Sequence, residues 1–247
     1  MKNVPALFAT LLLLAGCQTA PEVSKVTPPP TPPTPKKEAA AQPISYAAYT
    51  ALTPAEQQKL IAKELSVIGK ALKAYSTANG GRLPNSLSAL VAQGLLAPEA
   101  LISSADPSRG KEGGVPDSYD TWQQSPETDE SGSSYLYEFS GAGATWDWKS
   151  YLAGKPEVAA ADIDRNGEVS WAEAKAWQLA RGDTTQATPG PYAKNRFPVV
   201  RCYWFTFPAA REDISLRSVI SLAADLETVL LAQPWWEKDP APVQLLP

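Results

Sequence analysis

Between Thr53 and Gly81 the chain carries a helix with both of its ends written into the sequence. Thr53-Pro54-Ala55-Glu56 places a hydroxyl at the N-cap, a proline at the first helical position, where no N–H is needed, and a glutamate where it closes a capping box. Ile61, Leu65, Ile68, Leu72 and Tyr75 follow at spacings of four, three, four and three, which draws one apolar stripe along about seven turns. Gly80-Gly81 supplies the left-handed stop. An apolar stripe on one side of a helix has to be covered by a second layer. The stripe therefore reads as a packing face rather than a cofactor groove, and the rest of the chain must provide what it packs on.

Shorter elements follow. A second helix is expected over Ser86–Gln93, capped by Asn85 or Ser86 and turning Leu87, Leu90 and Val91 inward, and Pro98 opens a further turn. The run Val199-Val200-Arg201-Cys202-Tyr203-Trp204 reads as an apolar strand.

The chain begins with an export signal. Lys2 gives a short positive region, and Ala6–Leu14 is an apolar run too short to span a bilayer as an ordinary helix. Leu14-Ala15-Gly16-Cys17 follows directly and resembles the bacterial lipobox, in which the cysteine is acylated and becomes the new first residue. That resemblance implies lipidation of Cys17, a membrane partner through the acyl chains, and a cell-envelope location facing the periplasm or the cell surface. Gln18 stands where retained lipoproteins carry aspartate, which favours the outer membrane. Several acyl chains together anchor stably where one is marginal. The alternative is a plain secretory signal cut at a small-residue site.

Residues 1–16 are thus read as the lipoprotein signal, 17–44 as a linker and 45–247 as the folded domain. The linker contains Pro-Pro-Pro-Thr-Pro-Pro-Thr-Pro-Lys-Lys and an alanine run. Its prolines favour extended polyproline conformation, a semi-rigid spacer that holds the domain off the bilayer.

Composition removes several functions. The 247 residues, 44% apolar, suffice for one core with room for a small subdomain. A formal net charge of −4 leaves no electrostatic footprint for nucleic acid. There is no histidine, which takes away the commonest general base and zinc ligand. With Cys17 in the lipobox, Cys202 is alone, so no internal disulfide staples the domain. In an apolar strand without histidine nearby it reads as a buried, inert thiol.

One short segment carries specific chemistry. Asp162-Ile163-Asp164-Arg165-Asn166-Gly167-Glu168-Val169-Ser170-Trp171-Ala172-Glu173 fits the twelve-residue EF-hand-type calcium loop at every constrained position. Asp162, Asp164 and Asn166 offer side-chain oxygens at positions 1, 3 and 5, and Gly167 permits the sharp turn at position 6. Glu168 offers its backbone carbonyl, Ser170 acts directly or through a water, and Glu173 can bind in bidentate fashion. Calcium wants six to eight oxygens, and this set supplies them without nitrogen or sulfur. The exiting helix is expected over Trp171–Arg181, with Gly182 as stop. The entering helix is broken by Gly154-Lys155-Pro156, which leaves only Glu157–Ala161, and no second loop is found. This favours a structural calcium site inserted in a loop over a regulatory sensor.

The stretch from Leu65 to Val91 (LSVIGKALKAYSTANGGRLPNSLSALV) resembles the globular heads of type II secretion pseudopilins, and most of all the prepilin-type proteins of planctomycetes and verrucomicrobia. Asp106-Pro107 stands where the family has an aspartate-proline loop, Ser134–Phe139 (SYLYEF) resembles its first strand and Phe197–Trp204 (FPVVRCYW) a later one. The likeness covers roughly residues 53–140 and 195–240. It implies an α+β fold: a long N-terminal helix on a small antiparallel sheet, here with the calcium loop inserted. It also implies that the head is not an enzyme. The departure is the N-terminus, where a lipobox and proline linker replace the prepilin-peptidase site and apolar filament helix, so the fold carries over and pilus assembly does not. Ser218–Leu231 fits helical spacing through Val219, Leu222, Ala223, Leu226, Val229 and Leu230. The resemblance implies instead a hairpin of Ser218–Ala223 and Glu227–Leu231 about Ala224–Leu226, a turn without glycine.

The expectation is a non-enzymatic, calcium-binding lipoprotein with a possible protein partner in the cell envelope. Two alternatives stand beside it. Trp146, Trp148, Trp171, Trp177, Trp235 and Trp236 would serve a calcium-dependent adhesion or glycan-binding module if exposed, although large apolar side chains are also what a core without disulfides needs. Carboxylate pairs such as Asp225/Glu227 or Glu127/Asp129 could mimic the acid and base of a hydrolase.

Overall fold

The computed structural model describes residues 42–114, 132–143, 162, 165–181, 191–205, 219–233 and 243–246, all within the compact unit Pro35–Pro247. The signal segment, Cys17, most of the linker, Glu127 and Asp129, the segment Glu157–Ala161, Asp164, Gly182, and Trp146, Trp148, Trp235 and Trp236 lie outside the described residues.

The fold is α+β. Helix α1 (Tyr46–Thr50) leads into α2 (Pro54–Ala78) and α3 (Ser88–Ala92), and α4 spans Trp171–Arg181. Strands β1 (Leu136–Tyr137), β2 (Pro198–Cys202), β3 (Val219–Ala223), β4 (Val229–Ala232) and β5 (Gln244–Leu245) form one sheet in that order. Every neighbouring pair is antiparallel.

Helix α2 starts on its capping box. Thr53 Oγ1 accepts the Glu56 N–H, and Glu56 Oε2 accepts the Thr53 N–H at 2.9 Å and its hydroxyl at 2.7 Å. It ends where Gly80 and Gly81 turn left-handed, φ 65° and 88°, so that the Gly81 N–H reaches back to the Ser76 carbonyl at 2.8 Å. Between these ends Ile61, Leu65, Ile68 and Leu72 are fully buried, in one core with Val199, Val200, Ile220, Leu222 and Leu230 of the sheet.

At Gly69, α2 lies tightly against β3 and the turn that follows it. A Cβ there would lie 2.5 Å from the Leu226 carbonyl oxygen and 3.2 Å from both methyls of Leu222. Gly69→Ala is therefore expected to destabilise by about 1–3 kcal/mol through overpacking, despite the roughly 1 kcal/mol that alanine gains over glycine inside a helix. Urea denaturation checks this, and a neutral or stabilising effect would mean that α2 slides freely over the turn.

Residues 219–232 form a hairpin, not a helix, and its return strand starts at Val229 rather than Glu227. The reason lies in the turn. Asp225 Oδ1 accepts the N–H groups of Glu227 (3.1 Å) and Thr228 (2.9 Å), and Oδ2 accepts the Thr228 hydroxyl at 2.5 Å. Those two N–H groups are thus committed to the turn and not to a strand ladder. Leu226 takes the left-handed conformation, φ 65°, that a glycine would usually supply. Strands β1 and β2 are also shorter than the apolar runs suggest. Ser134 turns away from the sheet, its N–H donating to the Leu101 carbonyl at 2.8 Å and its hydroxyl to Asp106 at 2.6 Å. The chain leaves β2 after Cys202 and brings Trp204 Nε1 to the Gly113 carbonyl at 3.1 Å.

Candidate metal centre

The loop preceding α4 is organised by its own side chains. Asp162 Oδ1 accepts the Asn166 N–H at 3.1 Å and Oδ2 the Gly167 N–H at 2.9 Å, while Asn166 Oδ1 accepts the Glu168 N–H at 2.7 Å. The chain folds over the Asp162 carboxylate because Arg165 and Gly167 both adopt positive φ, 59° and 88°. Glycine takes that conformation without strain; arginine does so at a cost of the order of 1–2 kcal/mol. At the other end Glu173 Oε2 accepts the N–H (2.9 Å) and hydroxyl (2.7 Å) of Ser170, whose Oγ accepts the Glu173 N–H at 3.3 Å. Ser170 and Glu173 are a capping box that starts α4.

The structure thus gathers Asp162, Asn166 and Glu168 about one tight turn and joins Ser170 to Glu173 at the next. Among the described residues no three acidic, cysteine or histidine side chains converge as a metal-holding group; Asp164, the third carboxylate of the pattern, lies outside them. The donor chemistry fits a hard cation: two carboxylates, an amide oxygen, a hydroxyl and the Glu168 carbonyl, without nitrogen or sulfur.

The loop exit is stitched to the segment that continues β1. Ser170 forms an antiparallel bridge with Gly143, Trp171 N–H donates to the Ala142 carbonyl at 2.9 Å, and Ala172 N–H to the Ser140 carbonyl at 2.8 Å. One turn on, Lys175 Nζ lies 3.1 Å from Glu138, the residue after β1. Glu138 is shared with Arg201 of β2, at 3.3 Å, whose other terminal nitrogen donates to the Gln233 carbonyl at 2.6 Å. All three charged side chains are buried. Lys175 sits over the Trp171 ring, 5.8 Å from its centroid, and Arg201 over that of Tyr203 at 5.1 Å. Trp171 and Trp177 are themselves buried, at 4% and 6% exposure.

A second buried polar cluster, also missed by pattern reading, surrounds Glu64. Its Oε2 accepts the hydroxyls of Ser103 (3.1 Å) and Tyr135 (3.0 Å), and its Oε1 the Ser104 hydroxyl and N–H. Ser104 Oγ also accepts the Ile44 N–H at 3.0 Å, which ties the start of the domain to this group. Burial pushes the Glu64 carboxyl above its ordinary range, against the opposing pull of the donors from Ser104, Tyr135 and Ser103. Cys202, whose thiol donates to Ser103 Oγ at 3.5 Å, is pushed up to about 12, first by burial.

The sign for stability follows. A carboxyl whose folded value is raised contributes most below its unfolded value, about 4.3, and loses that contribution as pH rises through the folded value. Tyr49, Tyr135 and Cys202 also face this cluster, and burial raises each of them, so they stay neutral at ordinary pH. Glu64→Gln should therefore flatten the fall in stability of the wild type between acid and neutral pH. Urea midpoints measured across that range test it, and parallel profiles for the two proteins would contradict it.

Of the paired carboxylate candidates, the described pair is Asp225 and Glu227, and both have structural partners. Burial raises Asp225, but the hydrogen bonds from Thr228 and Glu227 outweigh it and hold the carboxyl below its ordinary value. Glu227 pairs with Lys73 on α2. A groove of about 690 Å³ opens beside α4, with Glu173, Leu179, Phe139, Arg82, Lys194 and Asp225 in its wall. No helix among the described residues is long and apolar enough to cross a membrane. No protein-family model, curated protein or solved structure matches the chain.

Proposed function

We propose that this chain is a non-enzymatic, calcium-binding lipoprotein of the bacterial cell envelope, with a pseudopilin-like α+β head in which the ion has a structural role. The observation that carries the reading is the loop before α4. Its Asp162 carboxylate already gathers the N–H groups of Asn166 and Gly167, and Ser170 and Glu173 already start the exiting helix. With calcium, Asp162, Asp164, Asn166, Ser170 and Glu173 would supply side-chain oxygens and Glu168 its carbonyl. The ion would neutralise carboxylates that otherwise repel one another. A long helix packed on a small antiparallel sheet supports the pseudopilin-like reading of the head. The burial of Trp171 and Trp177 supports a packing role for these two rings rather than a glycan platform.

Anchoring rests on Leu14-Ala15-Gly16-Cys17. Expressed in a bacterial host, the wild type should fractionate with membranes and incorporate labelled palmitate, and Cys17→Ser should abolish both. A wild-type protein that stays soluble and unlabelled would defeat the lipoprotein reading. Cut free of anchor and linker, the domain from Ser45 onward lacks an apolar filament helix and should be monomeric or a small oligomer. Filaments in preparations of it would contradict the separation from pilus assembly.

A further inference from the structure

The segment that opens the domain is tied down at few points. In α1 Tyr49 alone is buried, while Tyr46, Ala47, Ala48 and Thr50 are exposed. Ile44 is half-buried against the core, and its N–H donates to Ser104 Oγ at 3.0 Å. Gln57 Nε2 donates to the Tyr49 and Leu52 carbonyls at 3.1 and 3.2 Å. Two of these ties end at Glu64. The Ile44 N–H fills a lone pair of Ser104 Oγ, whose own proton goes to Glu64 Oε1, and the Tyr49 hydroxyl faces Glu64 and Cys202. On the other oxygen, Ser103 Oγ accepts the Ala105 N–H at 3.2 Å and the Cys202 thiol at 3.5 Å, and turns its proton to Glu64 Oε2 beside that of Tyr135. Among the described residues no lysine or arginine pairs with Glu64. An enclosed carboxylate held by hydroxyls without a counter-charge gives up hydration that those donors replace only in part. The neutral acid loses less, because each hydroxyl can turn and accept its proton.

We propose that Ile44–Leu52 is a strap that opens while the rest of the domain stays folded, and that the charge on Glu64 sets how often it does so. With the strap away, Ser104 Oγ has lost the Ile44 N–H and the Tyr49 ring has left the side of the carboxyl, so water reaches it. The sign follows from the two states. Open, Glu64 takes its ordinary value of about 4.3; closed, burial holds it above that. The closed strap therefore binds the proton more tightly. Its closure is firmest in acid, weakens as pH rises through the closed-state value, and is level beyond it. The other titratable groups facing Glu64 are Tyr49 of α1, Tyr135 before β1 and Cys202 of β2, all raised first by burial and neutral across this range. Asp106, on the loop that carries Ser103 and Ser104, is bonded instead to Ser108, Gly110 and Ser134. Residues 1–43 precede the strap, so its opening lengthens the tether they form by up to about 30 Å. The strap itself does not depend on the calcium or lipoprotein readings.

Amide hydrogen exchange on the full-length protein between about pH 4 and 8, corrected for the intrinsic pH dependence of exchange, tests this. The strap amides are those of Tyr49, bonded to the Ser45 carbonyl at 2.9 Å, and Leu52, bonded to the Tyr49 carbonyl at 3.1 Å. They should be less protected than the amides of β3, the central strand, because they open without it. Their protection should fall by up to about tenfold per pH unit above about pH 4.3 and then level off, the slope of a single proton. The Gly81 amide, bonded to the Ser76 carbonyl at the far end of α2, reports local fraying and should not change. Glu64→Gln should keep the lower protection of the strap and abolish its pH dependence. Strap amides as protected as those of β3 would show that the strap opens only with the whole domain, and would overturn the proposal. So would strap protection that is low but flat with pH in the wild type, or that falls equally in Glu64→Gln. Should that variant fail to fold, the comparison of strap, β3 and Gly81 amides in the wild type still decides.

Discussion

Glu138→Leu is expected to lower the stability of the domain by about 3–5 kcal/mol, because it withdraws the carboxylate shared by two buried cations and leaves their charge without that counterpart in a medium of low dielectric. Lys175 and Arg201 lie 3.1 and 3.3 Å from Glu138, with side-chain exposures of 2% or less. The size of the effect comes from stranding charge, not from the net worth of the pairs. The combined change Glu138→Leu, Lys175→Met and Arg201→Met should accordingly recover most of the loss, since apolar groups of similar volume need no counter-charge. Chemical denaturation of the single and triple variants separates the two contributions. A single variant costing less than about 1 kcal/mol, the range of exposed pairs, would mean that the cluster is wet.

Calcium is expected to stabilise the domain by about 2.7 kcal/mol at a free concentration about 100 times its dissociation constant. For a domain of this size that corresponds to a rise in melting temperature of roughly 5–10 °C, reversed by chelator. Trp171 and Trp177 lie on the helix that follows the loop, so intrinsic fluorescence should report the same event. Glu173→Gln is the informative substitution. Glutamine serves as well as glutamate in a capping box, so the start of α4 through Ser170 is kept, while one anionic ligand is lost. A variant that folds like the wild type but has lost most of the calcium response locates the effect in ion binding rather than in the helix.

Local features were legible in the sequence because their partners lie within a few residues. The Thr53–Glu56 box, the left-handed Gly80-Gly81 stop and the Asp162–Asn166–Gly167 turn are all of this kind. The hairpin was ambiguous because Val219, Leu222 and Leu230 suit either a helix face or a strand buried on both sides, and β3 is buried along its whole length. The deciding residue, Asp225, works by capturing N–H groups, which a count of apolar spacings does not register. Glu64 was hidden in plain sight, three residues after Ile61 and four before Ile68, on the very stripe that faces the core. Its partners Ser103, Ser104 and Tyr135 lie 39 to 71 positions away in the chain, so only the folded arrangement shows why a carboxylate is tolerated there. The same holds for Glu138, Lys175 and Arg201, which lie far apart in the chain and meet as a buried charge cluster in the folded arrangement.

The central claim is that Asp162–Glu173 binds calcium, and calorimetric titration of the mature protein tests it most directly. The account predicts heat corresponding to about one ion per chain with a dissociation constant of roughly 10⁻⁴–10⁻³ M, as in extracellular modules of this type. The heat should be strongly reduced in Glu173→Gln and accompanied in the wild type by the thermal shift described above. A wild-type protein that gives neither heat nor a thermal shift at millimolar calcium would contradict it.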